Sequence, residues 1–234
     1  MKDISFLKEN LIAHRGMHNN KIEENTIKAF QKAIDNNYLI ELDVHLTKDK
    51  KIVVFHDNDL KRLCNIDKEL KNCTLKELNN IKLTKTKDNI PTLKEVLELV
   101  NDKVPLIIEI KMDTDKEIID YLIEILDKYN GRFAVMSFSQ GIMEEIAKKR
   151  NNYIKGLLIG RTGKNIIDKF KNIRKIKKLK LDFLSVSINV ANGRFIKFFR
   201  IPIIIWTIIR DEEYQKYKNK AYNLTCENIN SFKL

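Results

Sequence analysis

The sequence predicts an α/β fold: a single (β/α)8 TIM barrel over residues 1–234, with a β-hairpin inserted after its second strand. Short apolar, β-branched runs alternate with stretches whose apolar residues recur at helical spacing. A length of 234 residues lies where α/β barrels run as one domain. No Pro-, Gly- or Ser-rich linker divides the chain, and no sequence repeat is visible. An open doubly wound sheet is the alternative reading of the same alternation.

The first strand is LIAH (11–14), and the first helix follows an Asn25-Thr26 cap with Ile27, Phe30 and Ile34 on one face. The second strand is YLIELDV (38–44), and KIVVF (51–55) follows too closely for a parallel crossover, so it turns back as a hairpin. A turn centred between Asp49 and Lys50 pairs residues whose numbers sum to 99 and sets His56 opposite Asp43. Period-2 alternation then places Glu41, Asp43 and His45 on one face and Leu42, Val44 and Leu46 on the other. A helix through Leu93, Val96, Leu97 and Val100 leads to the third strand, PLIIEIK (105–111). Further helices carry Ile118, Ile119, Leu122, Ile125 and Leu126, then Ile142, Met143 and Ile146, then Ile166, Phe170, Ile173 and Ile176. The remaining strands are FAVMSF (133–138), KGLLIG (155–160), FLSVSI (183–188), IIIWTI (203–208) and YNLTCE (222–227).

Lys and Arg exceed Asp and Glu by 12, which suits an anionic partner. Residues 161–180 hold nine basic residues against one Asp. That segment reads as an outer barrel helix with a solvated Lys-rich face, then as a weak contact with an anionic membrane surface. Nucleic acid is excluded as a partner, because no recognition motif or stacking aromatic set accompanies the charge. Cys64, Cys73 and Cys226 lack any CxxC spacing and read as reduced thiols. The N-terminal residues lack a signal-peptide core, and the most apolar run is cut by Lys197, Arg200 and Pro202, so a soluble cytoplasmic protein is expected.

Barrel enzymes hold their chemistry at the carboxyl ends of the strands. There the chain has His14-Arg15-Gly16, then Glu41 and Asp43, then His56-Asp57 returning on the hairpin, then Glu109-Ile110-Lys111. Three carboxylates converging without partners would repel, so a hard divalent cation, Mg²⁺ or Ca²⁺, is the expected cofactor at Glu41, Asp43 and Glu109. His14 and His56 suit acid and base roles near neutral pH. Arg15 and Lys111 match an anionic oxygen, and together these groups point to phosphoester cleavage. A structural Glu109–Lys111 ion pair is the plain alternative. His18 and His45 read as structural histidines, and Trp206 reads as either core or substrate wall.

The same residues resemble the glycerophosphodiester phosphodiesterase family. The similar pieces are HRG at 14–16, EENT at 23–26, ELDVHLTKDKKIVVFHD at 41–57, PTLKEVL at 91–97, IEIK at 108–111, SF at 137–138 and WT at 206–207. The resemblance implies the same barrel, metal binding by Glu41, Asp43 and Glu109, His14 and His56 as the acid/base pair, and phosphate binding by Arg15 and Lys111. Two positions depart from the pattern. Glu23 replaces a Pro, and Thr225-Cys226-Glu227-Asn228 stands where the family carries T-D-x-P. The expected reaction is hydrolysis of a glycerophosphodiester to sn-glycerol 3-phosphate and an alcohol. The alternatives are phospholipase D-type cleavage of lysophospholipids or sphingomyelin, and a non-catalytic phosphate-binding barrel.

Overall fold

The computed structural model describes residues 2–112, 116–160, 179–191 and 201–233. The strands are β1 (Ile12–Ala13), β2 (Leu39–Leu46), β3 (Ile52–Val54), β4 (Leu106–Ile110), β5 (Phe133–Ser137), β6 (Ile154–Ile159), β7 (Phe183–Ser187), β8 (Ile203–Ile208) and β9 (Asn223–Cys226). Their order is β1-β9-β8-β7-β6-β5-β4-β2-β3, and β1 also pairs with β2. Every neighbouring pair is parallel except β2 with β3, so eight strands close a parallel barrel and β3 hangs from it as the hairpin arm. The expected (β/α)8 barrel with its hairpin is therefore present.

The helices are α1 (Ile27–Asp35), α2 (Lys61–Cys64), α3 (Leu75–Asn79), α4 (Leu93–Val100), α5 (Ile118–Leu126), α6 (Gln140–Lys149) and α7 (Asp211–Tyr217). The expected helix through Ile166–Ile176 and most of the basic segment lie outside the described residues.

Strand parity separates two cores. Outward residues such as Ile40, Leu42, Val44, Leu106, Ile108 and Ile110 pack against Phe30 of α1, Leu93 of α4 and Leu122 of α5. Inward residues Ile12, Leu39, Ile107, Ala134, Phe183 and Ile204 fill the base of the barrel. Above them on β2 and β4 the inward positions change to Glu41, Asp43, His45 and Glu109, all buried. The acids and His45 thus stand above the apolar floor, toward the carboxyl ends of the strands.

Two features differ from expectation. Val44 pairs with Val54 and His45 with Val53, so paired numbers sum to 98 and Phe55, whose N–H donates to the Asp43 carbonyl at 3.0 Å, stands opposite Asp43. The cause is a three-residue loop, Lys48–Lys50, closed by Thr47 and Lys51, in which Lys50 takes a left-handed φ of 61°. His56 is the next residue, past the end of the arm. Secondly, the chain between β3 and α4 forms a lobe with its own small core, where Phe55, Leu60, Leu63, Leu70, Leu78 and Ile90 pack around α2 and α3.

One family-like motif proves architectural. Thr92 and Glu95 of PTLKEVL form a capping box at the start of α4, the Glu95 carboxylate accepting from the Thr92 N–H at 2.7 Å. Such caps contribute about 1 kcal/mol. Cys64, Cys73 and Cys226 are buried free thiols, as their spacing predicts. Among the described residues no helix is long and apolar enough to cross a membrane.

Candidate active site

The turn after β1 places His14 and Arg15. Gly16 has φ +77°, and a Cβ there would meet the backbone of Ala29 in α1 at 2.9 Å, so only glycine lets the turn press against the helix. Arg15 itself holds φ 54°, and its backbone N–H donates to Glu41 Oε2 at 3.0 Å. The turn is thereby tied to the second strand.

Glu41, Asp43 and Glu109 each bring a carboxylate oxygen within 4.8 Å of the others. Asp43 and Glu109 are register partners on β2 and β4. Burial, with repulsion from Asp43 and Glu109, pushes the Glu41 carboxyl well above its usual range. Burial and Asp43 likewise push Glu109 up to about 7. Burial would raise Asp43 too, but Lys111, His56 and Arg15 hold it far below the usual carboxylate range. Lys111 Nζ lies 3.1 Å from Asp43 Oδ1 and 2.9 Å from Glu109 Oε1, so the Glu109–Lys111 ion pair weighed from sequence is present here. Asn25 is not a helix cap: Thr26 alone caps α1, accepting from the Ala29 N–H. Asn25, buried at φ 54°, instead donates from Nδ2 to Asp43 Oδ2 at 2.9 Å.

Each histidine of the expected pair has its own carboxylate. His14 Nδ1 lies 2.7 Å from Glu227 Oε1, and His56 Nδ1 lies 2.6 Å from Asp57 Oδ1. The His14 hydrogen bond, with burial opposing it, keeps Glu227 below its usual range; Arg62 and His56 do the same for Asp57 against its burial. Ionised carboxylates only accept, so both rings carry a proton on Nδ1 and turn Nε2 to the site. His14 Nε2 is 4.0 Å from Glu41 Oε2. Burial lowers the His56 pKa, with Asp43 pulling the other way, so its neutral form is favoured.

Behind the rings runs a chain of alternating charge. Arg15 Nη1 donates to Glu24 Oε1 at 2.7 Å, Arg62 Nη2 donates to the same oxygen at 2.7 Å, and Arg62 Nε donates to Asp57 Oδ2 at 2.6 Å. Burial notwithstanding, the hydrogen bonds from Arg62 and the charge of Arg15 bring Glu24 down to about 2. From sequence, Asp57 was named only as the neighbour of His56 and Glu227 only as part of an altered strand end, and Glu24 and Arg62 were given no role. The only sequence signals were EENT, the HD pair and the altered TCEN end.

His45 is fully buried, with Nε2 3.2 Å from the His56 carbonyl oxygen, a structural setting. His18 lies beside Glu227, its Nε2 3.9 Å from Oε1. Trp206 stands edge-on to Phe138 with ring centroids 5.8 Å apart. At the site, the buried Arg15 Nε, His18 Nε2 and Trp206 Nε1 make no hydrogen bond among the described residues, although Arg15 Nε lies 3.5 Å from Asp43 Oδ2.

A closed parallel barrel with acids, histidines and cations gathered at its carboxyl end defines a barrel enzyme acting on an anionic ester. More particularly, residues 14–222 match the Glycerophosphoryl diester phosphodiesterase family, and the chain belongs to that family. It is 38% identical over 164 residues to a glycerophosphodiester phosphodiesterase of Caldanaerobacter subterraneus subsp. tengcongensis, covering 65% of this chain and 67% of that protein. It is 36% identical over 132 residues to the human Lysophospholipase D GDPD1, covering 51% of this chain and 41% of that one. Among solved structures it resembles a Thermotoga maritima glycerophosphodiester phosphodiesterase (TM-score 0.77, 32% identity, 93% and 94% of the two chains). An Oleispira antarctica phosphodiesterase in complex with the product sn-glycerol-3-phosphate shares the fold (TM-score 0.83, 19% identity, 94% and 93%). The chain is accordingly an enzyme, a phosphodiesterase.

Proposed function

We propose that the protein hydrolyses glycerophosphodiesters to sn-glycerol 3-phosphate and an alcohol, with His14 and His56 moving the protons and Glu41, Asp43 and Glu109 holding one divalent cation. The observation that carries this reading is the pair of imidazoles, each fixed through Nδ1 by a carboxylate, beside the buried three-acid cluster. The acids fit a hard cation: all their donors are oxygens, and two of them are pushed toward protonation by burial and mutual repulsion. Mg²⁺ or Ca²⁺ suits that donor set. Bound there, the ion supplies neutralisation of the charge that builds on the phosphate oxygens.

The chain's own groups do the rest. Arg15, whose Nε makes no hydrogen bond but lies 3.5 Å from Asp43 Oδ2, offers that N–H to a phosphate oxygen, and Lys111 stands beside it as a second positive charge. Trp206 walls the substrate and offers its unpartnered indole N–H. His56, favoured neutral, accepts a proton at Nε2 from the attacking oxygen, while His14 gives one from Nε2 to the leaving oxygen. Asn25 keeps Asp43 in place, and the Arg15–Glu24–Arg62–Asp57 chain sets the azimuth of His56.

A second reading, cleavage of lysophospholipids, is favoured by one observation. The far side of the barrel mouth is apolar: Phe138 packs on Trp206, and Met112 and Ile209, both just past strand ends, are 58% and 46% exposed. An acyl chain would find that side. Glycerophosphocholine, glycerophosphoethanolamine, glycerophosphoglycerol and lysophosphatidylcholine, assayed with and without EDTA, separate the readings. Chelator-sensitive release of glycerol 3-phosphate from the first three is expected; turnover of lysophosphatidylcholine alone moves the assignment to the second reading, and no turnover of any of them overturns both.

A further inference from the structure

We infer that His14, His18 and Glu227 form a second metal site, one that takes a borderline-soft transition ion such as Zn²⁺ and switches the enzyme off. For its effect on turnover the inference rests on the phosphodiesterase reading; for binding it does not. One ligand atom from each residue lies within 4.8 Å of the others, and two of the three are imidazole nitrogens, a donor set unlike the all-oxygen cluster next to it. Glu227 Oε1 is the hub, 2.7 Å from His14 Nδ1 and 3.9 Å from His18 Nε2.

The second distance points to a ligand. His18 Nε2 is sealed from solvent and has no hydrogen-bond partner among the described residues, yet it faces a carboxylate just beyond hydrogen-bond reach. A buried nitrogen in that state is costly, and a cation between it and Glu227 removes the cost. Zinc–ligand bonds of about 2.0–2.2 Å put tetrahedral ligand atoms roughly 3.3 Å apart. His18 would close on Glu227 by about half an ångström, and His14 would back off by about as much. His18 and Glu227 also line a cleft of about 450 Å³ shared with Gly16, Met17 and Asn228, which gives the ion a route in and room for a water at the fourth vertex.

Occupancy would disable His14. Its Nδ1 carries the proton donated to Glu227, and proton transfer needs the ring to pass between imidazolium and imidazole. A cation on Nδ1 displaces that proton to solvent and locks the ring out of the cycle. The acidic cluster would keep its own ion throughout.

The test uses the full chain saturated with Mg²⁺. Zn²⁺ is titrated calorimetrically and in a turnover assay on a glycerophosphodiester, with wild type, His18→Ala and His18→Gln. The expected result is a zinc-binding event in wild type that both variants weaken by about 100-fold or more, since even loss of an outer-shell partner costs up to about that much. Zinc inhibition should weaken in parallel, while activity without zinc stays within about twofold of wild type, which also reports that the variants fold. If zinc binds and inhibits wild type and variants alike, it acts at the acidic cluster and the inference falls. If wild type shows no zinc binding beyond that cluster, it falls as well. A chain inactive on every phosphodiester would overturn the proposed function, yet the calorimetric arm would still decide the metal site.

Discussion

Replacing Glu227 with Gln tests the least anticipated part of the site. The side chain keeps its volume, but the anion 2.7 Å from His14 Nδ1 is gone, and the new amide can present either its carbonyl or its NH2 to the ring. In the second case the ring proton is driven to Nε2, the wrong tautomer. Hydrogen bonds to a charged group are worth about 1.5–3 kcal/mol. At about 1.36 kcal/mol per decade this gives a fall in kcat of about 10- to 150-fold. Partial exposure of Glu227 favours the lower half of that range. Glycerol 3-phosphate release, coupled to its dehydrogenase and followed over full substrate and Mg²⁺ titrations, should show the loss in kcat with KM and metal dependence nearly unchanged, because Glu227 is outside the three-acid cluster. The Glu227→Gln/His14→Ala double variant should be no slower than His14→Ala, since the carboxylate acts only through that ring. A kcat within twofold of wild type, or additive losses in the double variant, refutes the positioning role.

The other expectations concern the acids, the second histidine pair and the hairpin. Glu109 titrates near 7 when folded against an ordinary 4.5, so protonation stabilises the fold; that contribution is fully present below about pH 4.5 and is lost as pH rises through about 7, on the order of 3 kcal/mol. Differential scanning calorimetry should therefore find that Mg²⁺ or Ca²⁺ raises Tm more at pH 8 than at pH 5.5, and equal shifts at both pH values would count against the cation site. His56→Ala should lower kcat by about 10²- to 10⁴-fold, whereas His45→Ala, which loses the contact with the His56 carbonyl, should cost about 1–3 kcal/mol of stability and less than tenfold in kcat. Equal kinetic damage from the two would contradict the assignment. Lys50→Gly relieves a left-handed lysine at the hairpin tip and should raise stability by about 0.5–1 kcal/mol in chemical denaturation, despite loss of the exposed Lys50–Glu117 pair.

The barrel was legible because its physics is local. Period-2 and helical spacing mark the barrel strands and the longer helices; parity put Glu41 and Asp43 on one face, and the rule that barrel chemistry sits at strand ends added Glu109. The turn of the hairpin was misjudged by half a residue, because a lysine gives no sign that it adopts the left-handed conformation glycine favours. The lobe around α2 and α3 was missed because its helices are only four and five residues long, too short for periodicity to show. The supporting shell was invisible for a different reason. Glu24 meets Arg62 across 38 residues and His14 meets Glu227 across 213, and pairs of that separation leave no mark in the spacing of the chain.

The seam of the barrel carries one more consequence. β1 is only two residues long, and the His14 amide donates to the Cys226 carbonyl at 3.0 Å, immediately before the residue that grips the His14 ring. Breathing at this short join would part the backbone and the His14–Glu227 hydrogen bond in a single event. Hydrogen–deuterium exchange at the His14 amide would thus report how often the join is open, and, if His14 moves protons as proposed, any effector that steadies or loosens the join would change the fraction of molecules able to turn over.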